Sequence, residues 1–154
     1  MLSELVLWAQ LVAALGSISL DSLSVTGAPF DLTPEWREVT LREALTAQTG
    51  NPRLIIYLRD LDGLGLKRSA IVQQLPQVMP LTAIEAEVIN RNGKPFQLHA
   101  TGYTFFHGLP GVVLEEDSVP KGETFYKLQV RSRVPLKGAT LVWLDSYGRS
   151  RPEY

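Results

Sequence analysis

The chain has no cysteine and only two histidines among its 154 residues. The absence of cysteine excludes a disulfide framework, thiol catalysis and cysteine-ligated metal sites. The two histidines, His99 and His107, are predicted to lie on an outward strand face and in a turn, so a shared site would require a curled sheet. We therefore expect them to be exposed strand and loop residues rather than an acid–base pair or a set of metal ligands.

Motifs of common catalytic sites are also missing. The sequence contains no glycine-rich phosphate loop, no nucleophile elbow and no metalloprotease helix. Asp60, Asp62 and Gly63 have the spacing that opens a calcium loop, but no acidic residue follows where the bidentate ligand belongs. The adjacent acidic residues 115–117 cannot all converge on one point from a strand, which favours a solvated loop. We expect no metal, no cofactor and no catalytic residue.

A charge excess of one sign is absent overall but present locally. The formal net charge of −1 argues against wholesale binding of nucleic acid, whereas from residue 121 onward seven Lys or Arg face only three acidic residues. These cations predict a basic surface that binds an acidic protein face, an anionic lipid surface or RNA, and the low overall charge favours the acidic protein. The residues assigned to this surface are Lys127, Arg131, Arg133, Lys137, Arg149 and Arg151. The alternative is that they only keep a sheet surface hydrated and unaggregated.

No Lys or Arg precedes Arg37, and no apolar run near the start is long enough to span a membrane. Residues 1–15 predict an apolar helix that ends at Gly16. It lacks the basic segment of a secretory signal, which favours a cytoplasmic or peripheral membrane location. Three roles stay open for it: a structural helix packed on the sheet, a helix that docks on a partner or a membrane surface, or a targeting segment. The contact residues of the docking helix would be Leu5, Trp8 and Val12.

Short elements are predicted between this helix and residue 80. Residues 17–25 alternate partly and predict an extended segment. A capping box at Thr40 and Glu43 predicts a second, short helix over residues 41–48. The apolar runs 54–58 and 66–75 then predict two strands that form a hairpin.

The stretch from residue 82 to residue 144 predicts consecutive antiparallel strands. A three-residue loop with Gly93 in the left-handed conformation pairs Val88 with Phe96 and keeps one face apolar. Gly102 predicts a bulge that returns Tyr103 and Phe105 to the core.

Two later strands are predicted from the pattern of their residues. Residues 126–130 alternate, with Lys127, Gln129 and Arg131 outward and Phe125 on the same outward side. Residues 139–144 are apolar on both sides, so both faces of that strand are expected to be covered.

The segments "IEAEVINRNGKPFQLHATGYTFF" and "SVPKGETFYKLQV" resemble the immunoglobulin-like β-sandwich modules of the FxLYD and LEA type 2 families. The resemblance covers at most residues 82–145 and rests on turn chemistry. The chain departs from FxLYD modules because residues 103–107 replace that motif. The resemblance implies a non-enzymatic module that works by contacting a partner or ligand.

The length and the 45% hydrophobic content predict one domain with a substantial core. We expect residues 1–51 to form a helix and an extended segment that pack on an antiparallel immunoglobulin-like β-sandwich of residues 52–154. The predicted function is a non-catalytic interaction or assembly module in a larger protein complex. The alternative is a small β-barrel that binds an apolar ligand or acts on it as a lyase or isomerase, with Tyr103, Phe105, His107 and Trp143 near its mouth.

Overall fold

A computed structural model describes residues 18–49, 51–106, 108–116 and 119–145 of the chain. The predicted N-terminal helix, with Leu5, Trp8 and Val12, lies outside the described residues, as do His107, Arg149 and Arg151. Among the described residues no helix is long and apolar enough to cross a membrane.

The described residues form mainly antiparallel strands. The strands are β1 (Phe30–Leu32), β2 (Arg37–Val39), β3 (Leu45–Ala47), β4 (Arg53–Tyr57), β5 (Ile84–Asn90), β6 (Pro95–Phe106), β7 (Leu109–Glu115), β8 (Glu123–Ser132) and β9 (Leu136–Leu144). The helices are α1 (Ile18–Leu23) and α2 (Ile71–Val78), and two short 3-10 turns, Arg68–Ala70 and Leu81–Ala83, flank α2.

All nine strands belong to one sheet, so the predicted two-sheet sandwich is wrong. The strand order is β1-β9-β4-β7-β6-β5-β8-β2, and β3 also pairs with β8. The sheet curls into a nearly closed barrel, in which β8 and β9 both have partners on each edge. One edge of β8 carries β5 and the other carries β2 and β3, while β9 lies between β1 and β4.

The two ends of the sheet meet along a seam between β9 and the segment that leads into β3. Val25 bridges the seam because its N–H donates to Leu141 O at 2.8 Å and its carbonyl accepts the Arg42 N–H at 2.9 Å. Two residues further along β9, the indole Nε1 of Trp143 donates to the carbonyl oxygen of Thr46 in β3 at 2.7 Å. Single hydrogen bonds, rather than a continuous ladder, therefore close the barrel here.

The space inside the sheet is filled by a continuous cluster of apolar side chains. The largest side chains that are fully buried are Leu32, Leu54, Ile56, Leu58, Leu75, Met79, Ile84, Leu98, Leu114, Phe125, Leu128 and Leu141. Helix α2 covers one end of the barrel, since Leu75 and Met79 join this cluster and the Tyr103 hydroxyl donates to Met79 O at 2.6 Å.

The predicted β5–β6 hairpin is confirmed. Val88 pairs with Phe96 and Gly93 has a φ of +83°. The predicted bulge is also present, because the β6–β7 register shifts between Ala100 and Gly102. Tyr103 consequently packs against the core.

Phe105 does not return to the core as predicted, because 45% of its surface is exposed. It pairs with Pro110, close to the turn that joins β6 to β7.

Three predictions for the first half of the chain are wrong. Residues 41–48 form no helix, because residues 45–47 pair with β8 as β3 and bury Leu45 and Ala47. Residues 18–23 are helical rather than extended. The predicted strand 66–75 is replaced by the 3-10 turn Arg68–Ala70 and by α2, which buries Leu75, and Met79 directly after the helix is buried as well.

Strand β9 is covered on both faces, as predicted. Leu141 belongs to the cluster inside the barrel. Val142 faces outward and joins a second apolar cluster with Ile55, Tyr57 and Leu20 of α1. The hydrophobic pattern of β9 thus reflects one layer of packing inside the barrel and another outside it.

Gly111 makes room for this outer cluster. It pairs with Tyr57, and a Cβ atom at Gly111 would lie 2.9 Å from Tyr57 Cδ1 and 3.1 Å from Ile55 Cγ2.

We expect Gly111→Ala to lower the free energy of unfolding by about 1–2 kcal/mol, because the buried Tyr57 ring must move. Urea denaturation measures this loss. Gly102→Ala is the control, since nothing lies within 4 Å of a Cβ there, and equal stability of the two variants would contradict the explanation.

Candidate functional site

The outer surface of strands β5 and β8 carries an ordered row of charged residues. Glu85 lies opposite His99 on one side and Arg131 on the other. Arg131 donates from Nε to Glu85 Oε1 at 2.6 Å, and its Nη2 lies 2.5 Å from the same oxygen. The register of the sheet, rather than proximity in sequence, brings this pair together.

Trp36 extends this row beyond Arg131. The guanidinium of Arg131 lies 4.4 Å from the centre of the indole, and 36% of Trp36 is exposed. Trp36 directly precedes β2, which pairs with β8. Arg131 is therefore held between a carboxylate and an aromatic face, which fixes the orientation of both neighbours.

The row continues in the other direction around the barrel. His99 also lies opposite Glu115, and Glu115 pairs with Arg53, with 3.0 Å between Arg53 Nε and Glu115 Oε2. Arg53, Glu115, His99, Glu85 and Arg131 thus follow one another on five adjacent strands. Because acids separate the cations, this surface is close to neutral and does not form a continuous basic strip.

Tyr126 lies at the other end of the β5–β8 surface. The β5–β8 register shifts between Ile89 and Asn90, which leaves Tyr126 as the extra residue of a bulge. The bulge turns Phe125 inward, where it is fully buried, and leaves 45% of Tyr126 exposed. The prediction that Phe125 faces outward is wrong for this reason.

Arg91 from the β5–β6 hairpin covers Tyr126. Its guanidinium carbon lies 5.3 Å from the ring centre, and its Nη2 donates to the Tyr126 hydroxyl at 2.8 Å. Asn90 holds the hairpin in shape, since its side-chain oxygen accepts the N–H groups of Asn92 at 3.0 Å and Lys94 at 2.9 Å. Its side-chain amide also donates to Glu123 at 2.5 Å.

The hairpin and β8 enclose a surface cleft of 320 Å³, which we call the hairpin cleft. Its lining residues are Ile89, Asn90, Arg91, Gly93, Tyr126 and Lys127. Sequence analysis missed Arg91 and Trp36 because their importance depends on which strand lies beside β8. The only local indication of a charged outer surface in the sequence was the alternation of Glu85 and Glu87 with apolar residues.

The predicted basic residues do not all share one surface. Lys127 and Arg131 lie on the outer side of β8, and the side chain of Arg133 donates to Thr82 Oγ1 at 2.9 Å. Lys137 belongs to β9, on the other side of the seam.

The residues predicted for a ligand-binding barrel mouth are engaged in different contacts. Burial raises the pKa of Tyr103, whose hydroxyl donates to Met79 O. The Trp143 indole donates to Thr46 O. Both polar groups therefore have protein partners, and each binds a different segment of the chain.

A second cleft, of 290 Å³, follows the seam beside Trp143, Arg42 and Asp145. The Asp145 carboxylate accepts four hydrogen bonds, from the N–H of Gln48, the N–H of Thr49 and the hydroxyls of Thr46 and Thr49, at 2.9–3.2 Å. Partial burial tends to raise the pKa of Asp145, but the hydrogen bonds outweigh it and the pKa is lowered. The carboxylate thus fastens β9 to the end of β3.

No group of three or more His, Asp or Glu side chains in the described part of the chain is arranged to hold a metal ion. No protein-family model, no curated protein and no solved structure matches the chain.

Proposed function

We propose that this protein is a non-catalytic interaction module that binds a partner protein through the outer surface of β5 and β8. We call this surface the β5–β8 face and define it by Trp36, Glu85, Glu87, Tyr126, Lys127, Gln129 and Arg131. The observation that carries the proposal is that both ends of the face have an exposed aromatic residue stacked with an arginine.

The composition of the two ends is typical of binding hot spots. Trp, Tyr and Arg are the residue types most enriched among interface residues that contribute strongly to affinity. Glu85, near Trp36, and Asn90, near Tyr126, are five residues apart on β5, which places the two aromatic residues about 17 Å apart along the sheet. Both positions would fit within the area of one standard interface, about 800 Å² per partner.

The local contacts also favour binding with little loss of side-chain entropy. Arg131 already contacts Glu85 and Trp36, and Arg91 already contacts Tyr126. Side chains that are ordered before binding need not be ordered on binding. The acids Glu85 and Glu87 lie between the cations, so the Trp36 end suits a partner of mixed charge.

The ligand-binding alternative receives less support. A barrel that binds an apolar molecule needs interior space, whereas side chains from β4, β5, β6, β7, β8 and β9 fill the interior of this one. The polar groups of Tyr103 and Trp143 are bonded to backbone carbonyls and are not directed at a ligand.

Trp36→Ala tests the proposal. If Trp36 is a hot spot, its removal should cost about 2 kcal/mol of binding free energy, or roughly a thirtyfold loss of affinity. Tagged full-length chain, as wild type and as variant, is used to capture partners from native lysate. The captured partner is then purified and titrated against both proteins.

Val72→Ala is the matched control, because Val72 is 64% exposed but lies on α2, outside the β5–β8 face. It should bind the partner as tightly as the wild type. Thermal unfolding of both variants verifies that they remain folded. A Trp36→Ala variant that binds as well as Val72→Ala would contradict the proposed function.

A further inference from the structure

The hairpin cleft combines an apolar floor with positive charge. Ile89 and Tyr126 provide the apolar surface, and the charged residues in its lining are the cations Arg91 and Lys127. Lys94 lies on the same hairpin but outside this lining, with its Nζ 5.1 Å from the Phe96 ring centre.

The nearby acids Glu123 and Glu87 do not belong to the lining of this cleft. Glu123 lies at the start of β8, but one of its carboxylate oxygens accepts the Asn90 amide. Glu87 faces outward on the neighbouring row, opposite Gln97 and Gln129. The lining of the cleft thus carries two cations and no acid, whereas Arg131 beside Trp36 is paired with Glu85.

We propose that the hairpin cleft binds an acidic segment of a partner protein, in which carboxylates flank an apolar side chain. The proposal rests on the proposed function, since it names what one end of the β5–β8 face recognises. Arg91 presents a planar fork of N–H donors that matches the geometry of a carboxylate, and its contact with Tyr126 holds that fork in place. Lys127 supplies a second positive charge, and Ile89 receives the apolar side chain.

The shape of the site favours an acidic peptide over a nucleic acid. The Arg91 guanidinium already covers one face of the Tyr126 ring, so a base cannot stack on that side. The two cations of the cleft also neutralise few phosphates, and affinity for nucleic acid depends on how many phosphates are neutralised. A carboxylate, in contrast, needs only the edge of one guanidinium and a nearby ammonium group.

The test uses an eight-residue fluorescein-labelled peptide with four carboxylates around one leucine and one phenylalanine. Its binding to the full chain is measured by fluorescence anisotropy in 50 mM and 300 mM salt. We expect saturable binding that weakens at least tenfold in an isosteric peptide with Gln and Asn in place of Glu and Asp. Higher salt should weaken it as well.

Arg91→Glu combined with Lys127→Glu should weaken binding of the acidic peptide at least tenfold. The control combines Arg133→Glu with Lys137→Glu, which changes the net charge equally but at exposed positions outside the cleft. It should bind like the wild type. Tyr126→Phe preserves the ring and removes the hydroxyl that Arg91 contacts, and a loss of a few fold is expected with the fold intact.

The outcomes separate this proposal from the proposed function. Equal binding by the two double variants, no binding by the wild type at 1 mM peptide, or tighter binding of a labelled oligouridylate would overturn the cleft proposal. Trp36→Ala should still bind the peptide as the wild type does while losing the captured partner. If it instead retains the partner and the peptide result holds, the proposed function fails and the cleft stands.

Discussion

Replacing Phe125 by alanine is expected to destabilise the protein by about 3–5 kcal/mol. Phe125 is fully buried at the point where three strands meet. Its ring packs in edge-to-face geometry against two others, with 5.5 Å between its centre and that of the Phe96 ring of β6 and 6.0 Å between its centre and that of the Trp143 ring of β9. Removing it loses both aromatic contacts and leaves a cavity that neighbouring side chains from different strands cannot fill together.

This loss is a large share of the stability of a typical domain, about 5–15 kcal/mol. Calorimetry should record a fall in melting temperature of about 6–20 °C for a chain of this size. Phe105→Ala is the matched control, since the same atoms are removed from a ring that is 45% exposed. It should change stability by about 0.5 kcal/mol or less. Similar losses for the two variants would mean that Phe105 is also a core residue.

Replacing Asp145 by asparagine is expected to destabilise the protein by about 2–3 kcal/mol at neutral pH. The carboxylate accepts from two backbone N–H groups and two hydroxyls on residues 46–49, whereas an amide offers a single uncharged oxygen. The affected contacts fasten β9 to the end of β3, so the seam should open more often. Hydrogen exchange should therefore rise first at the N–H groups of Gln48 and Thr49.

The effect of this substitution should depend on pH. The pKa of Asp145 is lowered in the folded chain, so its stabilisation is present above the unfolded value of about 4 and is lost as the pH falls through the folded value. The difference in unfolding free energy between wild type and Asp145→Asn should consequently shrink below about pH 4. Asp62→Asn, at an exposed turn, is the control and should match the wild type throughout. A difference that is constant from pH 7 to pH 3 would exclude the charge of Asp145 as the cause.

The elements that could be predicted from the sequence are those determined by neighbouring residues. The β5–β6 hairpin depends on a turn that places Gly93 at positive φ, and the Gly102 bulge depends on the residues beside it. Strand β9 is recognisable because it is apolar on both sides. In each case the local pattern and the final packing require the same conformation.

The wrong predictions occur where a distant strand decides the conformation. Thr40 and Glu43 match a helix start, yet burial of Leu45 and Ala47 beside β8 stabilises a strand instead. A closed sheet also depends on contacts between residues about a hundred positions apart, such as Thr46 and Asp145. No short sequence window contains that information, which is why a sandwich was predicted in place of a barrel.

The candidate site was predicted in part. The outward positions of Lys127 and Arg131 follow from simple alternation, and both are confirmed to lie outside the barrel. The pairing of Arg131 with Glu85 and Trp36 depends on strand order, and the exposure of Tyr126 depends on a bulge with no glycine to mark it. Charge counting alone therefore predicted a basic surface where the row of opposite charges is nearly neutral.

The seam also constrains how the chain folds during synthesis. Strand β1 pairs with β9, and Val25 donates to Leu141, so the earliest described strand waits for one of the last to leave the ribosome. Until then β1 lacks its partner strand, although the Val25 carbonyl can already accept the Arg42 N–H. Closure at such long sequence separation makes slow folding the expectation.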